Sequence, residues 1–154
     1  MAELKEGSKA PDFSLPSTEG NEISLKDLKG KTVVLYFYPK DDTPGCTQEA
    51  CDFRDSYKKF QKEDVVLLGV SPDPVKKHDK FREKYKLPFP LLSDESKAML
   101  QKYGVWKEKS MYGRKYMGVE RTTVVINEEG KIKKLFPKVK VTGHFEEVLK
   151  AVQE

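Results

Sequence analysis

Cys46 and Cys51 are the two cysteines of this 154-residue sequence, and their side chains are its most readily activated nucleophiles. A cysteine attacks as its thiolate, so what matters is whether the chain places either sulfur where negative charge is favoured. Cys46 ends the run Thr43-Pro44-Gly45-Cys46, which follows a strongly apolar segment and precedes residues with helical spacing. In the first turn of a helix the free backbone N–H groups and the helix dipole favour an anion. Such placement can bring a cysteine pKa from about 8.5 down to ~3.5–7.5. A cysteine after Thr-Pro-Gly at a strand-to-helix turn therefore reads as reactive. A pair five positions apart is too small for a secreted disulfide framework, and in a reducing compartment it is catalytic, metal-binding or structural.

The elements that must hold these sulfurs can be read on either side of them. Thr32 to Tyr38 is almost wholly apolar or aromatic and rich in β-branched residues, as in a strand buried on both faces, and Pro39 ends it. Val65 to Val70 is a second such run. Between them Phe53, Tyr57 and Phe60 recur at helical spacing, which gives strand, helix, strand, with the two strands parallel and the crossover right-handed. Cys46 then lies beyond the carboxyl end of the first strand, where ligands collect in α/β folds.

Pro74 is placed to open a helix as its first residue, with His78, Phe81 and Tyr85 on the inner face. Leu87-Pro88-Phe89-Pro90 interrupts the chain. Ser93-Asp94-Glu95-Ser96 offers caps for a short helix carrying Met99, Leu100 and Tyr103 and ending at Gly104. Arg121–Ile126 and Lys131–Phe136 form a hairpin around Asn127-Glu128-Glu129-Gly130, and Val148, Leu149 and Val152 mark a terminal amphipathic helix. Val105–Gly118 reads as a long loop. The expectation is an α/β sandwich on a mixed sheet, forming one domain over residues 1–154.

Composition narrows the function. Charged residues make up 35% and hydrophobic residues 37%, and 29 Lys and Arg face 25 Asp and Glu, an excess too small to require a polyanionic partner. No apolar run reaches the ~18 residues of a membrane span, and the opening Met1–Gly7 lacks the apolar core of a secretory signal. A cytoplasmic protein that binds neither nucleic acid nor membrane is expected.

Around the sulfur, Pro39, Thr43 and Cys46 follow the pattern proline, three residues, threonine, two residues, cysteine, which resembles the active-site motif of the peroxiredoxin family. The likeness runs from Ala10-Pro11-Asp12-Phe13 through Leu91-Leu92-Ser93-Asp94 to the terminal helix. It implies a thioredoxin-like (peroxiredoxin) fold, a three-layer sandwich with a central mixed β-sheet. It also implies a thiol peroxidase in which Cys46 is the peroxidatic cysteine, Thr43 donates to peroxide and thiolate, and Pro39 shields the sulfenic acid. Arg121, in Gly-Val-Glu-Arg-Thr-Thr, matches the family's distant arginine, and Glu49 matches an acid that holds it.

The five-residue spacing resembles the bacterioferritin comigratory protein or peroxiredoxin Q group, in which the resolving cysteine, here Cys51, lies on the same helix. The resemblance further implies hydrogen peroxide and organic hydroperoxides as substrates, thioredoxin or a similar dithiol as reductant, and no metal or organic cofactor. A monomer is expected, with a dimer through the sheet edge or helix ends as the alternative.

The spacing adds a physical demand. Five residues of regular helix rise about 7.5 Å and turn about 140°, which sets the Cα atoms about 8.7 Å apart. A disulfide tolerates no more than about 7 Å. Joining the two sulfurs therefore requires the helix to unwind.

Competing readings are weaker. A metal site built from Cys46, Cys51, His78 and His144 would need a cysteine spacing unlike the two-residue zinc hairpin. A thioredoxin-type dithiol spaces its cysteines by two residues. Gly30-Lys31-Thr32 resembles the end of a phosphate loop, but Leu25 occupies the first glycine position and the strand follows the loop instead of preceding it. Trp106–Tyr116 mixes bases with aromatics as a nucleic-acid or partner-binding segment would, but reads first as a solvated loop, whose Trp106, Met111 and Tyr116 would border a peroxide pocket.

Overall fold

The structure is a computed structural model and describes residues 4–154; of the opening segment read for a signal, residues 1–3 lie outside it. Two short strands, β1 (Ser14–Pro16) and β2 (Glu22–Ser24), form an antiparallel hairpin at the start. The main sheet contains β3 (Thr32–Phe37), β4 (Val65–Ser71), β5 (Leu91–Ser93), β8 (Thr122–Ile126) and β9 (Ile132–Phe136), in the order β5-β4-β3-β8-β9. β3, β4 and β5 run parallel, whereas β8 and β9 run antiparallel, so the sheet is mixed.

Helices α1 (Pro44–Asp55) and α2 (Tyr57–Lys62) connect β3 to β4, and α3 (Val75–Tyr85) connects β4 to β5. α4 (Ala98–Lys102) follows β5, the ribbon β6 (Trp106–Met111) and β7 (Arg114–Val119) precedes β8, and α5 (His144–Gln153) ends the chain.

β3 is central because both of its faces are apolar. Val33, Leu35 and Phe37 pack with Phe13, Leu25, Met99, Leu100 and Tyr103 on one side of the sheet. Val34, Tyr36 and Tyr38 pack with Phe53, Phe60, Phe81 and Val148 of the helices on the other. Side chains alternate across a strand, so a continuous apolar run is what a strand between two cores requires. The result is the three-layer arrangement expected from the sequence.

Four expectations are corrected. Val105–Gly118 is not a loop: β6 and β7 pair antiparallel from Trp106↔Val119 to Met111↔Arg114 around Tyr112 and Gly113, whose φ values of 52° and 77° suit a tight hairpin turn. The ribbon stands apart from the main sheet and most of its residues are exposed, so no apolar alternation marked it. The single helix expected across Phe53, Tyr57 and Phe60 is broken at Ser56, whose hydroxyl donates to the Asp52 carbonyl at 2.8 Å and closes α1. Pro74 caps α3 from outside, and Val75 is its first residue. Ser93, read among the caps of the short helix, closes the edge strand β5, which is too short to show a period, and α4 begins after Lys97.

The register fixes where chemistry occurs. Phe37 pairs with Thr122, so Arg121, just before β8, meets the same end of the sheet as the chain leaving β3. The exits of β3, β4 and β5 share that end.

Candidate active site

Cys46 is the third residue of α1 and only 1% exposed. Pro44 opens the helix, where its missing N–H does no harm. Gly45 is explained by its neighbour: a Cβ there would lie 3.3 Å from Arg121 Nη2. The guanidinium passes over Gly45 and donates from Nη2 to Cys46 Sγ at 3.2 Å. Its Nη1 donates to Glu49 Oε1 at 2.7 Å. One planar cation thus ties a sulfur and a carboxylate one helical turn apart, a geometry that a lysine ammonium could not reproduce.

Glu49 is 1% exposed and its Oε2 has no hydrogen-bond partner among the described residues. Burial pushes its carboxyl up to about 7, against the pull of Arg121. For Arg121, burial works against the charge, but Glu49 and then Cys46 outweigh it and hold the guanidinium above its ordinary value. Arg121 brings positive charge to Sγ in the first turn of α1, an arrangement that favours an anionic sulfur and any negative charge developing beside it.

Thr43 precedes the helix with extended backbone, and its hydroxyl donates to the Lys40 carbonyl at 2.9 Å instead of capping α1. Pro39 is half-buried at the exit of β3. Cys51 lies five residues further along α1 and is half-buried, and both it and the buried Cys46 are free thiols. Burial pushes its thiol up, with Arg54 opposing. The structure brings Pro39, Thr43, Cys46, Glu49 and Arg121 to one end of the sheet and sets Cys51 in the same unbroken helix, the geometry from which joining the sulfurs requires unwinding.

The sequence reading missed several residues of this region. Lys109 of β6 lies close enough for Arg121 and Cys46 to act on its charge, and burial, then Arg121, pushes its ammonium down. Met111 and Tyr116, considered as pocket residues, are 55% and 43% exposed, and Trp106 packs against the core instead. Asp41 and Asp42, between Pro39 and Thr43, are bonded to α3, and no spacing rule shows that pairing in the sequence.

The two histidines lie in separate contacts: His78 faces Asp41, whereas His144 bonds Thr123 Oγ1 at 2.7 Å and is pushed down to about 4 by burial and then Arg121. Two surface hollows of about 380 and 430 Å³ are lined by other residues, and neither includes Cys46.

Comparison with known proteins agrees with this geometry. The AhpC/TSA family profile matches residues 7–135. Peroxiredoxin Bcp of Bacillus subtilis is 51% identical over 148 residues, covering 96% of this chain and 94% of its own. Peroxiredoxin Bcp of Escherichia coli is 43% identical over 154 residues, covering 100% and 99%. A solved structure of the Xanthomonas campestris bacterioferritin comigratory protein, in work on its alkyl peroxide reduction activity, superposes with a TM-score of 0.90 at 40% identity, covering 97% of this chain and 98% of that one. The match along most of the chain, together with these identities, shows that the protein belongs to the AhpC/TSA family, in its bacterioferritin comigratory protein or peroxiredoxin Q group.

Proposed function

We propose that this chain is a thiol-dependent peroxidase of one domain, with Cys46 as the peroxidatic and Cys51 as the resolving cysteine. The observation that carries the reading is the Arg121 guanidinium donating to Cys46 Sγ and Glu49 Oε1 at once. Family membership supports a peroxide substrate and a reductant partner.

In the first step the Cys46 thiolate attacks the terminal oxygen of a peroxide. A sulfur–oxygen bond forms, the oxygen–oxygen bond breaks, and the departing oxygen takes a proton and leaves as water or an alcohol. Cys46 remains as a sulfenic acid. Arg121 and the Thr43 hydroxyl, which exchanges the Lys40 carbonyl for the peroxide, stabilise charge developing across the breaking bond. Pro39 screens the new sulfenic acid from water.

In the second step α1 unwinds, the Cys51 sulfur displaces water from the sulfenic acid, and an intramolecular disulfide forms. A dithiol such as thioredoxin then reduces it, becoming a disulfide itself. Hydrogen peroxide and organic hydroperoxides are the substrates, a reading that the alkyl peroxide reduction activity of the Xanthomonas campestris relative supports for the second class. The chain acts as a monomer, and no described helix is long and apolar enough to cross a membrane.

Peroxide consumption with a dithiol reductant, alongside intact mass, tests the reading. Cys46→Ser should abolish turnover, whereas Cys51→Ser should consume about one equivalent on reaching the sulfenic acid and about one more where it goes on to the sulfinic acid. Undiminished turnover by Cys46→Ser ends the assignment.

A further inference from the structure

Beside the site, a second polar cluster is buried under the loop from Pro39 to Thr43. Asp41 is 2% exposed and His78 of α3 is 0% exposed. Asp41 Oδ1 accepts from the Tyr38 hydroxyl at 2.6 Å, Oδ2 faces His78 Nδ1 at 2.5 Å, and the Asp41 backbone N–H donates to Asp73 Oδ2 at 2.6 Å. His78 Nε2 lies 2.9 Å from the Leu92 carbonyl. A carbonyl only accepts, so Nε2 carries a proton, and the contact between Nδ1 and Asp41 holds one more. Asp73 is fixed in turn: its N–H donates to Ser71 Oγ at 3.1 Å and its carbonyl accepts from the Ser93 hydroxyl at 2.6 Å.

The next loop residue is fastened to the same helix. Asp42, with φ of 57°, accepts from Lys84 Nζ at 2.8 Å and from the Tyr85 hydroxyl at 2.7 Å. Two consecutive residues of the active-site loop are therefore bonded to α3, one of them inside the core. By contrast, the loop is joined to α1 by the bond from the Thr47 N–H to the Thr43 carbonyl at 2.8 Å. Ligand atoms of Asp41, Asp73 and His78 lie within 4.8 Å of one another. They are already engaged with Tyr38, with each other, and with Lys77 at 3.5 Å, so the cluster is closed and offers no open cation site. Buried polar and ionic groups add little stability relative to apolar ones, and in some proteins they specify geometry, a use that this closed network suits.

We propose that Asp41 and His78 form a clamp that keeps the Pro39–Thr43 half of the site seated on α3 while the Cys46–Cys51 half unwinds and refolds. His78 is then a positioning residue: it touches no substrate, and it holds Thr43 in place through Asp41. This inference rests on the peroxidase reading and its unwinding step.

Amide exchange on the wild-type protein, reduced and as the disulfide made with diamide, tests the clamp without a variant. The Asp41 N–H should keep its protection within about threefold in both forms, while amides from Thr47 to Phe53 exchange at least ~10-fold faster in the disulfide. A similar loss of protection at Asp41 overturns the proposal.

His78→Phe, which removes both nitrogens, should react with peroxide at least ~10-fold more slowly, because a displaced Thr43 no longer meets the transition state. Its Cys46 should be alkylated by iodoacetamide, which has no use for Thr43, within about threefold of the wild-type rate and with the same pH profile. Peroxide reaction at the wild-type rate overturns the proposal, as does equal loss of both reactions. Should this variant fail to fold, the exchange comparison still decides. A wild type that consumes no peroxide sinks the parent reading instead, and the exchange comparison, made on a disulfide formed with diamide, is read independently of it.

Discussion

Arg121 shows how one side chain can serve a sulfur and a carboxylate at once. Its two nitrogens join Cys46 Sγ and Glu49 Oε1, so losing the guanidinium removes a donor from the reacting sulfur and a partner from a buried carboxyl. Arg121→Gln should lower kcat/KM for peroxide by about 10²-fold, which corresponds to ~2.7 kcal/mol of transition-state stabilisation. Folding stability should fall by less than the ~3–5 kcal/mol typical of a broken buried pair. The reason is Glu49: its carboxyl stands at about 7 and takes up a proton when its partner goes, so no bare charge is stranded. Stopped-flow kinetics alongside thermal melts separate the two effects, and a variant that loses stability but keeps its rate would make Arg121 structural. At this scale the sequence was legible where a motif exists. Pro39, Thr43, Cys46, Glu49 and Arg121 could be singled out through the resemblance to the peroxiredoxin motif, whereas Asp41 and His78, 37 positions apart, meet only through folding.

The element that the proposed cycle unwinds is α1, and Glu49 lies between its two cysteines. Any unwinding that joins Cys46 to Cys51 takes Glu49 out of burial. In the folded helix its carboxyl stands at about 7, against an ordinary 4.5. Below about pH 4.5 both states hold the proton, and Glu49 favours neither. As pH rises towards 7 the unwound segment loses its proton first, so unwinding becomes progressively easier, and above about 7 the effect levels off. The full difference is about 3 kcal/mol.

Opening of α1, from amide exchange corrected for intrinsic rates, should therefore rise ~10²-fold between pH 5 and 8 in the wild type and stay flat in Glu49→Gln. A flat wild-type profile would remove Glu49 from the unwinding equilibrium. The elements themselves were partly legible. β3, β4, the β8–β9 hairpin and α5 declare their periods because each buries a face. The end of α1 did not, because the apolar spacing from Phe53 to Phe60 continues through Ser56, where a hydroxyl turns the chain.

Across the whole molecule, the two sides of the sheet differ in polarity. The helix side, which carries Cys46, also buries Tyr36, whose hydroxyl has no partner among the described residues and whose ring leans over Gly69, 2.8 Å from where a Cβ would be. Removing an unsatisfied buried hydroxyl while keeping the ring should be neutral or favourable, so Tyr36→Phe should raise stability by up to ~1 kcal/mol and the melting temperature by a few degrees. A clear drop on thermal melting would mean that the hydroxyl is bonded, through water, to a group such as Glu49. The overall architecture was legible because three layers require a doubly buried central strand, and Thr32–Tyr38 has that composition. The β6–β7 ribbon was illegible because most of its residues are exposed and only its base, at Trp106 and Val119, meets the core. It leaves two strand edges outside the main sheet, and Lys107, Lys109, Arg114 and Lys115 outnumber Glu108 on it. Like-charged ribbons repel as copies approach and so guard open edges against strand-to-strand sticking. Salt weakens that repulsion, with a screening length of about 8 Å at physiological ionic strength, so the ribbon makes the colloidal stability of concentrated protein depend on the buffer.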